Sequence, residues 1–391
     1  MRRAYSLPSF QSHNAAPLTA ASVRPVNFKQ LKTAPAYCGP ELTMNLNTIT
    51  AQVGEFKQAL PQVKPHFAVK ANPLPELIQH LQKLNVCFEI ASQGELELLK
   101  SLNIPPADII FSNPIKTPAS IKAAQAYGIK WFAFDCKEEL DKLFKLAPKA
   151  FYELRLSTSG HGAVWPLSIK FGVNESEAAQ LIRYAAQHKM PVAGLTFHVG
   201  SQCTRAQSWV DAIHQCCELF TLMSQLDLPA QLLNLGGGFP CAISKNSPVL
   251  PSLMKPIQSV LATLPSGIQL VAEPGRFLMA AAGTLSCQII STTTRQNKPW
   301  AFLDCGYYNG LMELKENFGY EMKSHRGGPL QEWIIAGPTC DSIDMFDQAF
   351  LLPVASAPGD IINIPNMGAY ANTCATTFNG FAVPKVKILP E

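Results

Sequence analysis

The sequence predicts an α/β protein: a (β/α)8 TIM-like barrel followed by a β domain of the sandwich or small-barrel kind. Three observations carry this. From residue 66 to about residue 275, eight apolar strand-like stretches alternate with helical patterns. After about residue 280 strands follow one another without long helices between them. Within the first part, polar residues and glycines gather where the apolar stretches end, the rim that carries chemistry in such barrels.

The eight stretches are "HFAVKA", "VCFEIA", "DIIFSN", "WFAFD", "YELRLS", "GLTFHVGS", "QLLNLGGG" and "IQLVAEPG". Their near-continuous hydrophobicity fits parallel strands buried on both faces. Ser92 and Glu95 form an S-x-x-E capping box ahead of "LELLKSL", and Asp135 with Glu138 repeats the logic. Pro118 follows Thr117 as a first-turn proline, and Gly128 can stop that helix. Leu77, Ile78, Leu81 and Leu84 share one helical face. A doubly wound open sheet is the rival fold, but eight strands and no G-x-G-x-x-G turn after the first weigh against it. In the second part, "GTLSCQIISTTT", "WAFLDCG", "EWIIAGP", "GDIINIP" and "AVPKVKILP" read as strands. Turns fall at Gly327-Gly328, Pro358-Gly359 and Asn379-Gly380.

The 391 residues suit two domains, and 47% hydrophobic residues suffice for a large core. A net charge of +4 leaves no footprint for nucleic acid. No apolar run reaches the ~18 residues of a membrane helix. The eleven cysteines are odd in number and lack a C-x-x-C pair, which favours reduced thiols in the cytoplasm over a disulfide framework or a metal site. No acid precedes Glu41, and the Arg- and Ser-containing start overlaps in composition with transit peptides. The expectation is a frayed basic tail of a cytosolic enzyme.

Five of the eight strands bring a polar group to one rim. Lys70 ends the first, Glu89 lies in the second, His198 and Ser201 end the sixth, Gly236 to Gly238 end the seventh, and Glu273 and Arg276 end the eighth. Each alone has an ordinary explanation: a snorkelling lysine, a turn, a satisfied core histidine. Together they suit one group. Burial lowers a lysine's proton affinity and fits it to form a Schiff base with an aldehyde. Three glycines open backbone N–H groups to a phosphate, which Arg276 and Ser201 could complete. Glu273 could bond a protonated ring nitrogen, and His198 could stack on the ring. The cofactor that joins these features is pyridoxal 5'-phosphate.

The chain resembles the pyridoxal-phosphate decarboxylases of the alanine-racemase-like fold (fold type III), most of all the bacterial ornithine/lysine decarboxylases. The matching motifs are "FAVKANP", "FEIASQGELE", "SNPIK", "WPLSIKFG", "GLTFHVGSQ", "LNLGGGFP", "AEPGRF", "DCGYYNGLME", "IAGPTCDSID" and "NMGAY", followed by "FNGF". They run in family order from about residue 40 to 383. The resemblance implies that Lys70 is the Schiff-base lysine, His198 the ring-stacking histidine and Glu273 the partner of the pyridine nitrogen. Ser201, Gly237, Gly238, Arg276 and Tyr370 resemble the phosphate contacts; Glu89, Arg155 and Lys170 match residues around the cofactor. It further implies a homodimer with shared active sites, in which Cys340 protonates the substrate's Cα and Asp341 holds its distal amine, with Tyr307 and Glu316 nearby. The expected division is a cofactor-binding barrel over 45–278, with 1–44 and 279–391 forming the β domain that contributes to the dimer's site. No metal, nucleic acid or membrane partner is expected.

Departures from the family pattern bear on substrate. Glu89 stands where many of these enzymes have aspartate. Glu316 is aligned with a second distal-amine aspartate, and a longer carboxylate would shorten the pocket by about one bond unless Glu316 is only a solvated helix residue. "AYCGPELTMN" is an unusual start to the first element. The first expectation is L-ornithine to putrescine, in polyamine biosynthesis. Lysine, 2,4-diaminobutanoate, diaminopimelate or a conjugated amino acid are the alternatives. A non-catalytic, decarboxylase-like regulator is disfavoured because such a relative would be expected to lose cofactor contacts, and here they are present.

Overall fold

The computed structural model describes residues 37–167, 169–242, 249–316 and 318–390, the side chain of Glu316 excepted. The basic N-terminal segment read as a tail lies outside the described residues.

β1 (Glu41–Asn45) leads into α1 (Leu46–Ala59), capped where Thr48 N–H donates to Asn45 Oδ1 at 3.2 Å. The strands that follow are β2 (Lys64–Ala68), β3 (Cys87–Ile90), β4 (Ile109–Phe111), β5 (Trp131–Phe134), β6 (Phe151–Leu156), β7 (Ala163–Trp165), β8 (Val192–Phe197), β9 (Ser201–Cys203), β10 (Leu232–Asn234) and β11 (Gln269–Ala272). Eight of them close into a barrel in the order β10-β11-β2-β3-β4-β5-β6-β8, parallel throughout. β7 and β9 pair as a separate ribbon beside the rim. Helices α2 (Pro75–Lys83), α3 (Gln93–Ser101), α4 (Pro118–Tyr127), α5 (Lys137–Leu146), α6 (Glu175–Gln187), α7 (Ala206–Gln225) and α8 (Leu250–Leu261) return the chain between strands. Their buried stripes, such as Leu77, Ile78 and Leu81 on α2, cover the apolar outer face of the strands.

Local chemistry sets the boundaries. Thr117 Oγ1 accepts from Ser120 N–H, Pro118 opens α4, and Gly128 ends it at φ +106°. Ser92 caps α3 as expected, but Glu95 reaches back to the N–H of Ala91 rather than of Ser92. Asp135 does not cap α5; Cys136 occupies that position, and Asp135 accepts from Gly172 N–H at 2.9 Å instead, tying down the loop ahead of α6. The first barrel strand also ends sooner than its apolar pattern suggests. Lys70 sits on a 3-10 turn, Val69–Ala71, because the buried Asn72 is claimed by the C-terminal part: its amide donates to Gly368 O at 2.8 Å and its Oδ1 accepts from Asn372.

After α9 (Arg276–Met279) the chain enters the second sheet: β12 (Gly283–Arg295), β13 (Lys298–Leu303), β14 (Lys323–Ser324), β15 (Leu330–Ala336), β16 (Met345–Pro353), β17 (Ile361–Pro365) and β18 (Lys385–Leu389). The order is β14-β17-β12-β13-β15-β16, with β1 joining β12 to β18. Neither β16 nor the short β14 is legible in the sequence. In β16 the burial alternation is broken, and its pairing with β15 slips between Ile334 and Ala336. One apolar core runs from the barrel into this sheet. No helix among the described residues is long and apolar enough to cross a membrane, and no disulfide forms.

One buried ionic cluster supports the rim. The Lys116 ammonium is inaccessible to water and donates to Asn113 O and Ala133 O, with Glu139 at 3.1 Å. Burial lowers its proton affinity to a pKa of about 8. Lys142 approaches Glu139 from the other side. The cluster pins the β4–α4 loop, whose Asn113 and Pro114 line the mouth of the barrel. Lys116→Ala leaves Glu139 buried with half its compensation, and should cost about 3 kcal/mol in urea unfolding; a loss below about 0.5 kcal/mol would show that the cluster supports nothing.

Candidate active site

At the C-terminal rim of the barrel lies a cavity of about 350 Å³, lined by residues from most barrel strands and by Tyr370 from the second part of the chain. Lys70, Glu89, Arg155, Lys170, His198, Ser201, Gly237, Gly238, Glu273, Arg276 and Tyr370 all face it. The sequence-predicted rim is thus one place.

Lys70 Nζ lies 3.7 Å from Glu89 Oε2. The Glu89 carboxylate raises the ammonium's proton affinity above the ordinary lysine range, outweighing desolvation. This corrects the expectation of a lysine with lowered affinity: nearly half the side chain remains open to the cavity, and its neighbour is an acid. Burial pushes Glu89 up to about 8, with Lys70 opposing and Glu273 adding to the rise. Glu89 Oε2 has no hydrogen-bond partner among the described residues. A buried acceptor of this kind calls for a donor from a bound group.

His198 is neutral: burial, then Arg155 and Lys70, hold its proton affinity well below normal. Its Nδ1 accepts from Gly200 N–H at 3.0 Å, which leaves the proton on Nε2. Nε2 would lie 2.9 Å from a Cβ placed on Gly237. A Cβ at Gly236, where φ is +60°, would lie 1.9 Å from Phe197 O. Glycine is therefore obligatory where the chain turns tightly after β10. Behind this turn, Asn234 donates to Glu273 Oε1 at 2.6 Å.

Arg276 is buried, and its Nε donates to Ser201 Oγ at 3.3 Å. Its terminal nitrogens donate to both oxygens of Glu313 and to Tyr320 Oη, and the rings of Phe318 and Tyr370 flank the guanidinium. Glu313 and Tyr320 were not singled out in the sequence, although Glu313 closes the "DCGYYNGLME" motif; the carboxylate named there, Glu316, ends the same 3-10 turn, and its side chain lies outside the described atoms. Tyr370 adopts φ +66°, rare for a large residue, and its N–H donates to Ala71 O at 2.8 Å.

Three predicted residues do not line this cavity. Cys340 is exposed, and its N–H donates to Asn379 Oδ1. Asp341 accepts from Tyr308 Oη at 2.6 Å and from Ile343 N–H, contacts that lower its proton affinity. Tyr307 is buried edge-on against Phe346. The buried Asp344 fixes this group by accepting from Tyr307 N–H and from both Thr339 N–H and Oγ1.

The model of the pyridoxal-binding domain of pyridoxal-dependent decarboxylases matches residues 46–280. The chain belongs to this family. It is 32% identical over 358 residues to the lysine/ornithine decarboxylase of Selenomonas ruminantium, covering 90% of each chain. It is 31% identical over 350 residues to the ornithine decarboxylase of Rattus norvegicus, covering 84% of this chain and 76% of that one. The structure of the lysine/ornithine decarboxylase of Vibrio vulnificus with cadaverine superposes with a TM-score of 0.83 at 34% identity, covering 90% of this chain and 95% of that one. This decarboxylase therefore uses pyridoxal phosphate, and its cavity fits that group: an ammonium for the aldehyde, a Cβ-free turn beside Arg276, Ser201 and Tyr370 for the phosphate, and a carboxylate, Glu273, on the wall between them.

Two buried acids with raised proton affinity make the cofactor-free protein sensitive to alkali. The folded-state proton affinities of Glu89 and of Glu153 are raised from 4.5 to about 8. The folded chain therefore holds protons that the unfolded chain has released, and their contribution declines as pH rises from about 4.5 to about 8. Urea unfolding of the cofactor-free protein across that range should show a steeper decline for wild type than for an E89Q/E153Q variant; equal slopes would contradict it.

Proposed function

We propose that this decarboxylase acts on a basic amino acid, converting L-ornithine to putrescine for polyamine biosynthesis in the cytoplasm, as a homodimer with shared active sites. The observation that carries this is the meeting of Lys70, Glu273, Arg276 and the glycine turn in one cavity, while Cys340 and Asp341 of the same chain lie outside it. Relatives named lysine/ornithine and ornithine decarboxylases support the substrate class, as does an arginine decarboxylase of a Chlorella virus solved with agmatine, TM-score 0.84 at 27% identity, covering 90% of this chain and 96% of that one. We take the barrel as 45–278, and 1–44 with 279–391 as the part that completes a partner's site.

When bound, pyridoxal phosphate supplies an electron-poor ring that accepts the electron pair left by departing carbon dioxide. The chain does the rest. Lys70 would anchor the cofactor aldehyde, and its amine would take the aldehyde back as the product amine leaves. Glu273 would keep the ring nitrogen protonated, and neutral His198 would cover a ring face. Ser201, Gly237, Gly238, Arg276 and Tyr370 hold the phosphate, with Glu89, Arg155 and Lys170 around the ring. From the other subunit, Cys340 would return a proton to the substrate's Cα and Asp341, held by Tyr308, would bind the distal ammonium, with Glu316 assigned to the border of that pocket; Tyr307, buried against Phe346, packs the segment from within. Glu316 is the residue aligned with a second distal-amine aspartate, and its longer carboxylate makes the shorter 2,4-diaminobutanoate the second candidate.

Mass spectrometry of products from ornithine, lysine, diaminobutanoate, arginine and diaminopimelate should give putrescine from L-ornithine. Lys70→Ala should give none; full turnover in that variant would sink its assignment. 1,3-Diaminopropane from diaminobutanoate alone would move the substrate to the shorter acid. Mixing inactive Lys70→Ala and Cys340→Ala chains should restore about a quarter of wild-type activity, since half the dimers carry one intact site. No recovery, with dimers confirmed by sedimentation, would refute shared sites.

A further inference from the structure

Beneath the cavity floor lies a second carboxyl group that none of the roles above uses. Glu153 is on β6, wholly buried. It shares the inward face of β6 with Arg155, two residues on, which lines the cavity; beside it the β6–β8 pairing passes from Tyr152↔Val192 to Glu153↔Gly194, skipping a residue of β8. Glu153 Oε2 accepts from Asn234 Nδ2 at 3.2 Å, and Oε1 lies 3.2 Å from Ser112 Oγ. Asn234 is held at three points. Its Oδ1 accepts from Gly236 N–H at 3.0 Å, which fixes the amide's orientation, so Nδ2 donates towards both Glu153 and Glu273.

Two carboxylates sharing one neutral amide cannot both be charged without cost. Glu273 and Glu89 face Glu153 as acids, and Arg155 is a nearby cation. Burial first, and Glu273 second, raise the Glu153 proton affinity. As a neutral acid Glu153 satisfies its neighbours: its O–H donates to Ser112 Oγ, and its remaining oxygen accepts from Asn234.

We propose that Glu153 is a positioning residue: a buried carboxyl group that locks Asn234 so that its amide holds the Glu273 carboxylate facing the cofactor ring nitrogen. Asn234 also bonds Gly236, so the same lock couples Glu273 to the turn beneath the phosphate. This rests on the ring-nitrogen role proposed for Glu273.

The test uses full-length cofactor-free wild type, E153Q, E153L and E273Q, titrated with pyridoxal phosphate by tryptophan quenching and visible absorbance. Glutamine keeps an acceptor for Asn234 and a donor for Ser112, so E153Q should bind within about twofold of wild type. Leucine leaves the Asn234 donor unpaired, so E153L should bind about tenfold more weakly or worse and show a shifted spectrum. Its kcat should fall, with KM changed little. E153Q as impaired as E153L, or E153L indistinguishable from wild type, overturns the proposal. E273Q separates the two layers. If its spectrum is unchanged, the ring-nitrogen role of Glu273 itself fails; if it shifts while E153L is silent, only the present proposal fails. Should E153L not fold, the infrared difference spectrum of wild type minus E153Q decides. A protonated-carboxyl carbonyl band at neutral pH is expected in wild type, and its absence refutes a neutral Glu153.

Discussion

Acidic groups kept away from water at one end of a barrel are the constraint around which this molecule is arranged. Glu89, Glu153 and Glu273 converge under one cavity, and Glu313 joins from the second part of the chain. In a site of low polarizability, carboxylates at such range raise one another's proton affinity and must be neutralised, paired or protonated. The chain does this differently for each. Glu89 faces an ammonium, Glu153 reaches a hydroxyl and an amide, Glu273 takes an amide hydrogen, and Glu313 clasps a guanidinium. Lysine, arginine and asparagine are therefore distributed by the needs of these acids as much as by those of a ligand.

The second sheet takes part in this arrangement as well as adding mass. β1 links β12 to β18 before the chain enters the barrel, so the two parts share a seam. Along it, Asn72 bonds to Gly368 and Asn372, and Tyr370 N–H bonds to Ala71. These bonds fasten the two residues that follow Lys70. They also hold Tyr370 in a left-handed backbone conformation that a free chain would leave. The lysine we propose as the cofactor anchor is thus positioned by residues about 300 positions away in sequence.

Much of this was legible from sequence where the chemistry is local. The eight apolar stretches, the glycine turn, and Lys70, His198, Glu273 and Arg276 each announce themselves within a few residues, because a strand end and its loop are one short segment. Thr117-Pro118 and Gly128 likewise mark a helix by neighbours alone. What stayed hidden depends on closure. Glu153 reads as an ordinary alternation in "YELRLS", and nothing local says that the inward face it shares with Arg155 brings it against two further acids. Asn234 gives no sign of holding two acids until β6, β10 and β11 are brought together. The Asp135 cap failed because a loop almost forty residues on competed for the same carboxylate. The clasp of Arg276 by Glu313 needed the second sheet's turn to return over the barrel.

That clasp has a consequence for how the protein meets its cofactor. A guanidinium on a flexible stem ordinarily gives up side-chain freedom when it engages an anion. Here the arginine is already gripped by an acid and a phenol and walled by two rings. Little order remains to be created on loading. The protein's own contacts therefore build the phosphate end of the site, and the arginine's aim is set by the fold rather than by the anion it meets.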